Sequence, residues 1–169
     1  DRGGRFYYST LTLNGTTGNG EVGVALSGSG GRSWTTPRIV SPNDDSLFYF
    51  GDRESTTAGP SGKGSKTDNV YVTWDDFVFD PATNTNFTGL PIARSTNRGA
   101  TWSLRYIDKI TVDPSSCSFG QYFGAQPVVD RADGRLYVIA EKVRVDDPKC
   151  QGATPVINLS NGSLPDAAS

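Results

Sequence analysis

Histidine is absent from these 169 residues. Ser-His-Asp and Cys-His nucleophile systems are thereby excluded, and any metal site is left to oxygen ligands or the two cysteines. Methionine is absent too, at position 1 as elsewhere, so a mature or excised piece is expected rather than a whole translation product. No apolar run approaches the roughly 20 residues that span a bilayer, and no signal peptide is visible, so nothing anchors the chain to a membrane. No charge of one sign dominates either. The formal net charge is −2 with both signs interspersed, and no basic face is large enough to neutralise several phosphates, so nucleic acid is not an expected partner. Long helical periodicity is also missing.

What is present favours short strands and tight turns. The chain is 35% hydrophobic and 11% aromatic, enough for a core. Twenty Gly and ten Pro stand beside abundant Thr, Val, Tyr and Trp. "VYVTW" (70–74) alternates as a half-buried strand does, after the turn-rich "AGPSGKGSKTDN". "RFYYSTL" (5–11) and "RLYVIAEKV" (135–143) look like the same element. Tyr7, Tyr71 and Tyr137 lie 64 and 66 residues apart, and Trp34 and Trp102 lie 68 apart. A unit of about 65 residues therefore repeats.

One unit reads as four strands: "DRESTTA" (52–58), "NVYVTWDDF" (69–77), "GLPIARS" (89–95) and "TWSLRYI" (101–107). "FGAQPVVD" (123–130) opens the next unit as "FGDRESTTA" (50–58) opens this one. Four antiparallel strands per repeat predict a β-propeller blade. The expected architecture is all-β, a partial propeller of about two to three blades: a first-blade remnant over 1–42, a second blade over about 47–110, and the start of a third over about 120–169. A closed ring needs about 4 to 8 blades, so the remaining blades would have to come from a parent chain.

The stretch "ARSTNRGATWS" (93–103) has a near copy in "ALSGSGGRSWT" (25–35). Asn97 can hydrogen-bond amides two residues on, Gly99 accepts a positive φ, Ser95 and Thr101 can bond across the mouth of the turn, and Trp102 offers a large apolar face. Ser27, Ser29, Gly31, Ser33 and Trp34 hold the same places in the copy. These are structural jobs.

The pattern "SxNxGxTW" from Ser95 to Trp102 resembles the Asp-box, the bacterial neuraminidase repeat of sialidases and related propellers, with Asn97 where that family usually carries Asp. The copy departs further, with Ser29 for the Asp and Ser33 for the Thr. With "NVYVTWDDF" and "AQPVVDRADGRLYV", the chain is similar to sialidase-like proteins over most of its length. The motif is specific for the fold family and weak for activity. The resemblance implies a glycoside hydrolase acting on terminal sugars (sialic acid) of glycans, with several Arg gripping the sugar carboxylate, a Tyr nucleophile with a Glu partner, and an Asp acid/base. It implies no nucleotide, redox cofactor or metal.

The resemblance also places the active site on the disc face opposite the Asp-box turns. There the cluster Asp52, Arg53 and Glu54 is the strongest candidate, because the planar Arg fork can bind a carboxylate bidentately. Asp75 and Asp76 follow Trp74, and as neighbours in a strand they point to opposite faces, so only one can enter a shared site. Glu141 ends the third copy of the second strand near the place of that pair. Trp74, Tyr122, Gln126 and Glu141 are candidate sugar contacts, and Tyr49 lies on the same face. Asp44-Asp45 and Asp146-Asp147 read as solvated loop charges. No "FRIP"-type motif and no set of three Arg can be placed.

"GNGEVG" (18–23) follows no parallel strand and opens no helix, so it reads as a hairpin loop rather than a dinucleotide fingerprint, and "GPSGKGSK" (59–66) has Ser65 where a phosphate loop needs Lys. Cys117 and Cys150 fall on the same predicted face, where a disulfide would mark an oxidising compartment. Sequons stand at Asn14, Asn86, Asn158 and Asn161. Both observations point to a secreted or extracellular protein. Three functions follow as expectations: a sialidase-like hydrolase, a non-catalytic propeller binding glycan or protein through Trp74 and Tyr122, and a structural segment of a surface protein.

Overall fold

The computed structural model describes residues 1–42, 44–112, 119–145 and 156–163. Cys117, Cys150, Asp146 and Asp147 lie outside them. Ten strands form in order: β1 (Phe6–Leu13), β2 (Gly20–Ser27), β3 (Arg38–Ile39), β4 (Phe48–Pro60), β5 (Asp68–Asp80), β6 (Thr85–Ser95), β7 (Ser103–Val112), β8 (Phe119–Val129), β9 (Leu136–Val145) and β10 (Val156–Ser163). No helix among the described residues is long and apolar enough to cross a membrane. The all-β expectation holds in this loose sense.

The propeller expectation is corrected. β4, β5, β6 and β7 do make an antiparallel meander, but they do not stand apart as a blade. β1 to β7 belong to one mixed seven-stranded sheet, ordered β1-β2-β4-β5-β6-β7 with β3 also pairing β2. The join is a parallel bridge between Gly20 of β2 and Phe50 of β4. Its physical cause is local. A Cβ on Gly20 would lie 2.5 Å from a Phe50 ring carbon, so only glycine lets the Phe50 ring approach. Asn19 secures the join through its side chain, Oδ1 accepting the Tyr49 amide at 3.1 Å and Nδ2 donating to the Leu47 carbonyl at 3.1 Å. β8, β9 and β10 form a separate antiparallel sheet, and no closed blades result.

From Asp68 to Asp76 β5 is buried on both faces, which explains the run "VYVTW" within it. Its even-numbered Val72 and Trp74 pack with Val22, Val24, Val40 and Ala93. Odd-numbered Tyr71 faces the other way and packs with Leu90, Ile92 and Ile110 and, from the second sheet, Tyr122, Ala125, Val129 and Val138. The Thr73 hydroxyl donates to the Ala125 carbonyl at 3.1 Å on this side. Parity thus sends Tyr71 to one core and Val72 and Trp74 to the other.

The two Trp-bearing turns share one hydrogen-bond scheme. In the turn joining β6 to β7, the buried Ser95 hydroxyl accepts the amides of Asn97 (3.4 Å) and Gly99 (2.7 Å), and the Asn97 carbonyl accepts the Thr101 amide (2.8 Å). Gly99 has φ 82°, and the Trp102 indole donates to its carbonyl at 3.2 Å. In the copy, Ser27 takes the Ser29 and Gly31 amides, Ser29 takes the Ser33 amide, and the Trp34 indole donates to Gly31. A hydroxyl at position 29 does the work of the Asn97 carboxamide. Ser95 and Thr101 connect through Asn97, which also donates to the Thr101 hydroxyl at 2.8 Å. The two Trp then differ: Trp102 packs against the core of Val72 and Trp74, while Trp34 stays exposed, edge-on to Tyr8.

Candidate functional site at the meeting of two bulges

The β4–β5 register runs from Phe48 opposite Phe79 to Asp52 opposite Asp75, then slips so that Ser55 faces Thr73. Arg53 occupies the slip with φ 53°, a left-handed conformation that costs a residue bearing a Cβ roughly 1–2 kcal/mol. Bulges re-aim side chains. The β8–β9 register slips likewise between Phe123 and Gln126, with Gly124 at φ 60°. The two bulges meet. The Gly124 amide donates to Asp75 Oδ2 at 3.0 Å, the Ser55 hydroxyl donates to Gln126 Oε1 at 3.1 Å, and the Arg53 guanidinium lies 5.2 Å from the Phe123 ring centre.

The two carboxylates of this corner have opposite environments. Asp52 is half-exposed, and its Oδ1 accepts the Arg53 amide at 2.8 Å while its Oδ2 lies 3.8 Å from Arg53 Nε. Asp75 is 2% exposed. Burial pushes its pKa up to about 6, against the Gly124 and Ala125 amides and the Arg53 charge, which favour ionisation. Glu54 is half-buried in the β4 bulge, and Glu141 of β9 stands opposite Phe123. The Arg53 side chain is itself 55% exposed, so the corner presents an accessible guanidinium beside the Phe123 ring and the Asp52 and Asp75 carboxylates.

Asp76, Trp74 and Tyr122 are not part of this corner. Asp76 points to the opposite face of β5, where the Tyr106 hydroxyl donates to it at 2.5 Å. Burial pushes Asp76 up to about 7, opposed by the Tyr106 hydroxyl, the Trp74 indole and the Lys109 charge. Burial and the Asp76 carboxylate in turn raise the Tyr106 phenol. Trp74 is wholly enclosed in the core and offers no face to a sugar. Tyr122 is buried too; its hydroxyl donates to Asp108, which also accepts Lys142 Nζ at 2.6 Å. Burial and that carboxylate hold the Tyr122 phenol protonated, and burial beside Glu21 raises Tyr49 to about 12. Gln126 is exposed at the corner.

Phe123, Ser55, Asp108, Tyr106, Lys109 and Lys142 were not among the sequence-derived site residues. Tyr106 and Asp108 both lie on β7. Two residues apart on a strand, they should share a face, yet a slip in the β6–β7 register between Leu90 and Pro91 sends Tyr106 toward Asp76 and Asp108 toward Tyr122. Among the described residues no group of three or more acidic or Cys side chains is arranged to hold a metal ion.

The fold and corner define an all-β protein with an Arg–aromatic–carboxylate surface. Compared with known proteins, the chain matches no family model and no curated protein.

Proposed function

We propose that the chain recognises a carboxylate-bearing sugar at the end of a glycan, in the manner of the sialidases that its turns resemble, and that Arg53 is the residue that grips it. The observation that carries this reading is the Arg53 bulge. A strained backbone holds a largely exposed guanidinium over Phe123, where its planar fork can donate two parallel hydrogen bonds to a carboxylate and the ring can receive the apolar face of the sugar. Asp52, Glu54 and Glu141 supply acceptors for sugar hydroxyls. Under this reading Asp75, whose pKa burial raises, is the acid, and Asp52 faces it across the β4–β5 ladder.

A second reading, binding without turnover, is favoured by a specific feature. The Asp75 carboxyl is closed off from solvent with the Gly124 amide on its Oδ2, and the Tyr106 and Tyr122 phenols are held protonated by burial and a carboxylate partner. The test measures release of a fluorogenic leaving group from an α-sialoside, with binding of a non-hydrolysable α-sialoside in parallel. Turnover lost in both Arg53→Ala and Asp75→Asn supports the hydrolase. Binding without turnover, lost in Arg53→Ala, supports the second reading. No binding by the folded chain would overturn both.

A further inference from the structure

Three consecutive cross-strand pairs share one face of β4 and β5: Phe48 with Phe79, Phe50 with Phe77, and Asp52 with Asp75. Side chains two residues apart along a strand lie on the same side, about 7 Å apart. The aromatic ladder therefore leads straight into the carboxylate corner and extends about 14 Å from it. Phe48 and Phe50 are 57% and 51% exposed, and Phe48 stacks on Phe79 with ring centres 6.3 Å apart. These rings floor an open groove of about 410 Å³, rimmed by Asn19 and Asn86, a volume within the range of roughly 300–1,000 Å³ typical of ligand sites.

None of the groove's lining residues is charged. That argues against a phosphate or a second acidic group as occupant and fits neutral rings with one apolar face. A pyranose offers such a face in its axial C–H groups, and burying it on a phenyl ring removes apolar surface from water. The half-buried Asn86 carboxamide suits a hydroxyl at the sugar's edge, whereas that of Asn19 is already taken by Tyr49 and Leu47.

We propose that the Phe48–Phe79 and Phe50–Phe77 pairs form an extended subsite for the neutral sugar rings that follow the acidic sugar held at Arg53. The ligand is then an oligosaccharide lying along β4, with its acidic end at the bulge. The inference rests on the Arg53 reading for its orientation and on the ladder for its length.

The two can be separated by titrating the 169-residue chain with methyl α-sialoside, with sialyllactose and with a neutral trisaccharide. Sialyllactose should bind about tenfold more tightly than the monosaccharide, and in a Phe48→Ala/Phe79→Ala double variant that ratio should fall to about one. Both Phe are on an open face, and retention of the strand signal in circular dichroism shows that the variant folds. An unchanged ratio in the variant, or no gain from the longer sugar in the wild type, would overturn the subsite. If the sialoside does not bind but the neutral trisaccharide does, and the double variant loses it, the ladder stands and the Arg53 reading falls. Binding of an apolar dye in the groove with no sugar bound would overturn the subsite in favour of an apolar partner.

Discussion

Asp52 and Asp75 stand opposite one another across the β4–β5 ladder, yet Asp52 is open to water and Asp75 is enclosed beneath the β8 bulge. Cross-strand partners ordinarily share an environment. Here the β8 bulge closes over Asp75 through the Gly124 amide, while the Asp52 carboxylate keeps 41% of its surface exposed. The bulge beginning at Arg53 is what permits this, since it turns the strand away just after Asp52 and lifts the guanidinium over Phe123.

Strain at that bulge makes a stability signature that separates Arg53 from an ordinary surface arginine. Arg53→Ala and Arg53→Gly both remove the guanidinium, but only glycine relieves the φ of 53°. The Gly variant should exceed the Ala variant in stability by about 1 kcal/mol, read from urea midpoints at equal slope. Both should lose sialoside binding alike. Equal midpoints would mean that the backbone conformation at Arg53 is set without cost.

The two Trp-bearing turns should tolerate change unequally. Ser95→Ala strands the buried Gly99 amide and loses the Asn97 contact, at a cost of about 1–3 kcal/mol. Trp102→Ala empties part of the core of Val72 and Trp74, costing about 2 kcal/mol or more. Trp34→Ala removes an exposed ring whose neighbour is Tyr8, and should cost less than about 1 kcal/mol. Thermal or urea unfolding of the three variants checks the order. A Trp34 effect as large as that of Trp102 would contradict the packing described.

The strands of the second repeat were legible because period-two alternation and turn residues coincide there: β5, β6 and β7 fall where "NVYVTWDDF", "GLPIARS" and "TWSLRYI" stand. The recurrence of the turn was legible from its spacing, whereas Ser29, a departure from the motif in sequence, shows its role as acceptor of the Ser33 amide only in the structure. Ring architecture was not legible, because it depends on how one repeat meets the next. At Gly20 the absence of a Cβ lets the Phe50 ring sit against β2 where it bridges to β4 in parallel, and Asn19 ties the join. At the candidate site, Asp52, Arg53 and Glu54 were readable as a charged cluster. Phe123 and the Phe48–Phe79 ladder were hidden, because period-two runs of Phe look like core whichever face is covered. Bulges shift the register by one residue without leaving a mark in composition, which is why Tyr106 and Asp108 serve opposite faces.

Asp76 provides the pH-dependent prediction. Its folded pKa is pushed up to about 7 by burial, above an unfolded value near 3.9. The folded state therefore binds this proton more tightly than the unfolded chain, so the group's contribution to stability is full below about pH 4 and is lost as pH rises through about 7. Asp76→Asn cannot ionise, and its carbonyl can still accept the Tyr106 hydroxyl now donated at 2.5 Å. The variant should match the wild type near pH 4 and exceed it by on the order of 2–4 kcal/mol at pH 8. Lys109, whose ammonium lies 4.1 Å from the Tyr106 ring centre, supports the charged form, so Lys109→Ala should deepen the wild type's loss at high pH and leave Asp76→Asn little changed. Urea unfolding of the wild type, the two single variants and the double variant at the two pH values reads the effect as a difference of differences, which removes the contributions of every other carboxylate. A variant advantage that is the same at pH 4 and pH 8 would show that Asp76 is ionised throughout and that the Tyr106 hydrogen bond, not burial, governs it.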